Sequence, residues 1–232
     1  MGQKVNPIGF RTGITEDWKS RWYAPKAAYG DFLGEDFKVR RHVDQKLNRK
    51  PPFAAVSDIL IERTREEVTI TLKTARPGLV IGPKGAEVDK LREELEDLIG
   101  RKVAPIKVIE IKNPDLNAQL VAEAIAEQLK KRASFRRVLK QRMDATMGAG
   151  AKGIKISVSG RLGGAEIARQ EKAGLGSVPL TTLQADVNYG YAIAYTTFGT
   201  IGVKCWIYRG MYGEEVLETD VRPGGGPRRG RR

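Results

Sequence analysis

The sequence predicts an α+β protein of two units, and three observations lead there. Residues 36–112 run helix, strand, strand, helix, helix, strand (αββααβ). Residues 113–210 run two amphipathic helices and then glycine-punctuated strand patterns, read as helices packed on an antiparallel sheet. Lys and Arg number 41 against 28 Asp and Glu, a formal charge of +13 that favours a polyanionic partner. Hydrophobic residues make up 41% of the chain, enough for two packed cores.

In chain order, residues 1–35 read as an irregular arm with Pro7, Gly9, Gly13, Pro25, Gly30 and Gly34. An arm this poor in pattern is expected to order against a partner. Trp18, Trp22 and Tyr23 mix with Lys19, Arg21 and Lys26. Such a mixture suits either RNA stacking or packing on the arm's own domain. From Asp36, Phe37, Val39, Val43 and Leu47 recur at helical spacing until Pro51-Pro52, and the other face is basic. His42 in that helix reads as a surface or packing residue. Ile59–Arg63 and Val68–Lys73 alternate as two strands joined through Arg65-Glu66-Glu67, a hairpin. A short helix spans about Pro77 to Ile81, a longer one runs to Ile99, and Gly100 stops it. Residues 104–112 alternate as a third strand.

Between the two helices lies Ile81-Gly82-Pro83-Lys84-Gly85. Glycines let the backbone turn tightly and leave no side chain in an approaching ligand's way. The following helix points free N–H groups back at the turn, and Lys84 adds a cation. Pro83 lacks an N–H and removes one donor. A Gly-x-x-Gly turn between two helices, within this element order, resembles the type II KH domain, which clamps a nucleic-acid backbone there. The binding residues expected from the turn are Gly82, Lys84 and Gly85.

In the second unit, Leu116, Leu120, Val121, Ile125 and Leu129 make an amphipathic helix, and an acid-free basic stretch runs on from it to Arg142. Arg132, Arg136 and Lys140 are spaced by four and are read as one helical face, with Arg137 beside it. Phe135, Val138, Leu139 and Met143 supply the opposite, apolar face. The ridge is either a solvated face or a nucleic-acid contact. Strand patterns follow near 154–160, 165–172, 180–189, 191–198 and 201–209. Arg161 and Arg169 flank a glycine-rich loop, either surface arginines at a turn or guanidiniums within reach of phosphates. The tail at 211–232 carries five arginines from Arg222 onward, among Pro and Gly and without acids there.

Several classes are disfavoured. Cys205 is the lone cysteine and His42 the lone histidine, which argues against an intrachain disulfide framework, cysteine zinc sites and most His-dependent chemistry. No cofactor or small-molecule substrate is expected. No apolar run approaches a membrane span, and Asn6 breaks the myristoylation pattern that Met1-Gly2 opens. Gly148–Gly153 spells G-x-G-x-x-G, but a helix precedes it and a strand follows, the reverse of a dinucleotide site. A cytoplasmic location fits this set.

Five segments in order carry a wider resemblance: Gly-Gln-Lys-Val-Asn-Pro-Ile-Gly-Phe-Arg at 2–11, Arg-Pro-Gly-Leu-Val-Ile-Gly-Pro-Lys-Gly at 76–85, Phe-Arg-Arg-Val-Leu-Lys at 135–140, Ser-Gly-Arg-Leu-Gly-Gly-Ala-Glu-Ile-Ala-Arg at 159–169, and Gly-Thr-Ile-Gly-Val-Lys-Cys-Trp-Ile at 199–207. Together they resemble the bacterial-type small-subunit ribosomal protein S-three family, over nearly the whole chain to about Arg209. The resemblance implies a non-enzymatic constituent of the small-subunit head, bound to ribosomal RNA and to the tenth and fourteenth small-subunit proteins. It also implies a place beside incoming messenger RNA, where Arg136, Arg137 and Lys140 match the family's unwinding residues. A free KH-domain regulator that stays off ribosomes is the alternative. A lyase acting on damaged DNA is the enzymatic rival, for which the sequence offers no metal cluster.

Overall fold

The structure, a computed structural model, describes residues 4–49, 51–64 and 67–213. The expected hairpin turn at Arg65-Glu66 and nearly all of the basic tail lie outside the described residues, as does the Lys84 side chain.

Val68, Ile70 and Leu72 alternate with threonines and lysine, so one side of their strand is apolar. That strand, β3 (Val68–Thr74), pairs antiparallel with β2 (Val56–Arg63), with Ile61 opposite Ile70 and Ile59 opposite Leu72. Before them come α1 (Pro7–Arg11), the two-residue strand β1 (Ser20–Arg21) and α2 (Lys26–Val43). After them come α3 (Pro77–Ile81), α4 (Ala86–Ile99) and β4 (Lys107–Glu110). The sheet order is β1-β2-β3-β4, with both outer strands parallel to their neighbours. Val39 and Val43 of α2, Val80 of α3 and Leu91 and Leu95 of α4 pack on Ile61, Ile70 and Leu72. Each such burial contributes about 1.5–3 kcal/mol. The αββααβ order is therefore the observed one.

The second unit begins with α5 (Ala118–Lys130) and α6 (Phe135–Gly148). Its sheet has β5 (Gly153–Gly160), β6 (Arg169–Gly176), β7 (Ala185–Thr196) and β8 (Gly199–Met211) in the order β6-β5-β8-β7, every pair antiparallel. Ile125 and Leu129 of α5 and Val138 and Leu139 of α6 share a core with Ile154, Ile156, Val203, Cys205 and Ile207. Burial pushes the Cys205 thiol far up, so it is an inert core residue.

Three sequence expectations change. First, the patterns at 180–189 and 191–198 are one strand, β7, running straight through Gly190. Gly190 is not a turn: a Cβ there would lie 2.2 Å from the Ala118 carbonyl, so the glycine lets the start of α5 touch the sheet. The loop after β5 also runs longer than the pattern at 165–172 suggested, and β6 starts at Arg169. Second, α2 starts at Lys26, ten residues before the expected Asp36. Gly30 and Gly34 lie on its exposed side, where they weaken a helix without stopping it.

Third, the arm orders against its own chain. Arg11 is fully buried, and its Nε donates to the Ala185 carbonyl at 2.8 Å. Its Nη2 reaches the Thr182 carbonyl at 2.7 Å and the Pro179 and Leu180 carbonyls at 3.3 Å. Further along the arm, the Trp22 Nε1 donates to Asp36 at 2.8 Å, and Arg63 binds the same carboxylate through Nε (3.0 Å) and Nη2 (2.5 Å). Arg63 also meets Glu35. Trp22 packs edge-on against Phe32, while Trp18 and Tyr23 stay exposed. The expected aromatics thus divide between packing and solvent.

Glu123 on α5 is largely buried, which pushes its carboxyl up to about 7; nearby Asp44 adds to the shift and the Gln119 amide, 2.7 Å away, opposes it.

Two outcomes are expected. Arg11→Ala leaves buried carbonyls unpaired and lowers unfolding stability by about 2 kcal/mol or more, and Arg11→Lys does not restore it because a single ammonium cannot span the fork; thermal denaturation measures this. Glu123 binds its proton more tightly folded than unfolded. Its contribution is therefore full at low pH and lost as pH rises through about 7. Denaturant titrations between about pH 5 and 8 should show that loss, and Glu123→Gln should flatten it.

Candidate nucleic-acid interface

The glycine turn is built by three short steps. Helix α3 ends at Gly82, whose N–H donates to the Gly78 carbonyl at 3.0 Å. Gly82 takes φ 69° and ψ −178°, and a Cβ there would lie 2.6 Å from Glu87 Cγ. Only glycine fits both conditions. One 3-10 turn, Pro83–Gly85, then leads into α4 through Gly85 at φ 82°. Apart from its chain neighbours, no described atom lies within 4 Å of where a Gly85 Cβ would be. The turn is thus closed on its Gly82 side by Glu87 and open on its Gly85 side. Glu87 and Asp89 in the first turn of α4 already answer the helix's positive end.

The basic ridge is built by α6. Val138, Leu139, Met143 and Thr146 are buried, which fixes the helix's inward face. Arg136, Arg137 and Lys140 then project to solvent. Among the described residues, no carboxylate forms a salt bridge with any of the three. Arg142 differs, being drawn half inward toward Asp115 at 3.7 Å. Phe135 lies half-buried at the start of the helix, with the Arg136 guanidinium 5.6 Å from its ring centroid and that of Arg169 5.9 Å away. The aromatic therefore brings the ridge and the first residue of β6 together. Sequence reasoning placed Phe135 on the core face. Its position directly before two arginines was the available signal for this second role.

Arg132 does not share the α6 face. Helix α5 stops at Lys130, and Arg132 takes a left-handed conformation, φ 58°. Its N–H donates to the Leu129 carbonyl at 3.1 Å, and the Ala133 N–H donates to Gln128 at 3.2 Å. This closes α5 as a glycine usually would. The spacing of four counted through a helix that is broken at 131–134, so Arg132 sits exposed at the turn between the helices.

The glycine-rich loop is braced internally. Arg161 donates from Nε to the Ala165 carbonyl at 2.8 Å and from Nη1 to the Phe198 carbonyl at 3.1 Å. Its fork is therefore largely engaged with backbone. Arg169 is exposed, 3.9 Å from Glu171. The glycine turn belongs to the first unit and the ridge to the second. Among the described residues no group of His, Cys, Asp and Glu is placed to hold a metal, and no helix is long and apolar enough to cross a membrane.

An αββααβ unit with its glycine turn, joined to a helix-on-sheet unit whose α6 carries exposed cations without carboxylate partners among the described residues, defines an RNA-binding protein of the KH class. A KH-domain family model matches residues 38–116, and one described as ribosomal protein S3, C-terminal domain, matches 125–207. The chain is 52% identical over 226 residues to small ribosomal subunit protein uS3 of Rhodopirellula baltica, covering 97% of this chain and 95% of that one. It is 55% identical to the same protein of Shouchella clausii (94% and 96% covered) and 53% identical to that of Staphylococcus aureus (97% and 100% covered). The chain belongs to the small ribosomal subunit protein uS3 family. As a member it is a ribosome-associated, RNA-binding structural protein and not an enzyme.

The geometry separates surface cations from structural ones. Arg136→Ala, Arg137→Ala and Lys140→Ala should each leave stability within about 0.5 kcal/mol. Arg161→Ala should cost about 1–3 kcal/mol by freeing two loop carbonyls. Thermal denaturation of the four variants distinguishes them.

Proposed function

We propose that this chain anchors ribosomal RNA in the head of the small subunit and presents the α6 ridge to messenger RNA as it enters. The observation that carries the reading is the set of three neighbouring exposed cations, Arg136, Arg137 and Lys140, on a helix fixed by its own core face and free of carboxylate partners among the described residues. Cations in that state are available to phosphates, and each phosphate neutralised releases counterions. A rigid cationic face holds separated strands and hinders their re-pairing, while the ribosome's translocation supplies the work. The chain has no P-loop sequence, and this mechanism needs none.

The remaining cations divide the labour. Arg169 extends the ridge across Phe135, Arg132 stands at its edge, and Arg161 holds the loop between them in shape. The Gly82–Gly85 turn offers a weaker backbone contact. Pro83 has no N–H, the Gly82 N–H is already bound, and Glu87 places a negative charge beside the turn. The neighbouring head proteins, the tenth and fourteenth of the small subunit, are the expected protein contacts, and the cytoplasm is the expected location. The family resemblance supports these assignments.

Ribosomes carrying Arg136→Ala with Lys140→Ala should translate unstructured messages normally and stall longer at stable hairpins. A normal rate through hairpins contradicts the ridge mechanism. For the isolated protein, the double change should weaken single-stranded RNA binding regardless of sequence and reduce the salt slope by about one for each phosphate no longer neutralised.

A further inference from the structure

Helices α5 and α6 cover one face of the second sheet, and the other face is not uniform. By register, the outward positions are Gln170, Lys172 and Gly174 on β6, Lys155, Ser157 and Ser159 on β5, Thr200, Gly202, Lys204 and Trp206 on β8, and Tyr189, Tyr191, Ile193 and Tyr195 on β7. At one end the chain covers this face itself. Val178 and Leu180 pack on Ala185, Val187 and Tyr208, and Arg11 ties that loop down. Among the described residues no segment covers the other end in this way, and the exposed Tyr191, Tyr195 and Lys204 lie there.

We propose that this open half is a second RNA site, a stacking platform for the bases of a single strand. At its border with the covered end, where Trp206 also packs on the Ala185, Val187 and Tyr208 cluster, Tyr189 and Trp206 lie side by side, centroids 5.4 Å apart, and Lys155 Nζ is 5.7 Å from the Trp206 ring centre. Tyr191 reaches over Gly202, with its Cε2 and hydroxyl oxygen each 3.8 Å from where a Cβ would be. The ring thus lies along the sheet over its neighbour on β8. Tyr191 is 46% exposed and Tyr195 58%. Lys204 is opposite Tyr191, and Lys172 is opposite Ser157. None of the outward positions is acidic, and among the described residues no carboxylate forms a salt bridge with Lys155, Lys172 or Lys204. Rings at two-residue spacing meet bases, and lysines between them meet phosphates. The all-positive charge of the face selects a polyanion over an acid-and-apolar protein surface.

The platform is on the opposite face of the sheet from α6, so it is tested independently of the ridge. The test uses full-length protein carrying Arg136→Ala, Arg137→Ala and Lys140→Ala, with short fluorescent oligouridine and oligoadenosine as probes. Adding Tyr191→Ala or Lys204→Glu should weaken binding about five-fold or more, as loss of one stacked base or a reversed charge would. Tyr191→Phe, which keeps the ring, should bind as before. Equal affinity for all variants overturns the proposal. So does the finding that, in assembled subunits, a crosslinker at position 191 captures a neighbouring protein and no RNA.

Discussion

The organisation of this protein depends on where its carboxylates go. With 41 basic residues against 28 acidic ones, many cations have no acid to meet. Several acids go to cations that are buried or that join elements. Arg63 takes Glu35 and Asp36 inside the first unit, and Lys19 takes Asp58 between arm and sheet. Lys46, just past the end of α2, takes Glu94 of α4, and Arg142 leans on Asp115 beneath α6. A buried cation without a partner is costly, whereas an exposed one costs little. Among the described residues, Arg136, Arg137 and Lys140 on α6 and Lys155, Lys172 and Lys204 on the outward face of the second sheet are among the cations left without an acid, as are Lys38 and Lys107 in the first unit. Unbalanced charge destabilises the free chain and matches a polyanion, so stability and function point to the same partner.

Backbone carbonyls serve the same end where acids are lacking. Arg11 is buried by carbonyls from Pro179 to Ala185, and Arg161 holds its loop through Ala165 and Phe198. Arg40 likewise joins α2 to the Ile59 carbonyl at 2.6 Å and to Ser20 at 2.8 Å. These forks turn irregular segments into fixed supports. The arm becomes part of the packing around the second sheet, and the loop between β5 and β6 holds Arg169 beside Phe135. The α6 ridge is therefore presented by a braced frame, as the proposed strand-holding role requires.

Much of this was legible in the sequence because it is periodic. The αββααβ order and the inward face of α6 follow from apolar spacing, and the glycine turn from its two glycines set between helices. What was not legible depended on tertiary contact. Gly190 reads as a turn until Ala118 is seen against it, and Arg132 reads as helical until the left-handed closure of α5 is seen. The start of α2 was hidden by Gly30 and Gly34, whose low propensity is overridden by packing at Val39 and Val43. The order in residues 4–23 rests on partners more than 150 residues away for Arg11, which no local pattern reveals. The role of Arg161 is similar: its sequence neighbours suggest phosphate, but its fork faces carbonyls. The tyrosine alternation in β7 was readable as a strand, yet its outward side was not, because the side that α5 and α6 cover is set by the fold.

The most direct test is sedimentation of a cell lysate through a sucrose gradient at moderate salt, followed by a high-salt wash of the small-subunit fraction. The chain is expected to travel with the small subunit and to leave only in the strong wash, because phosphate neutralisation supplies most of its attachment. A chain that stays at the top of the gradient while ribosomes remain intact would contradict this and point to a free RNA-binding regulator.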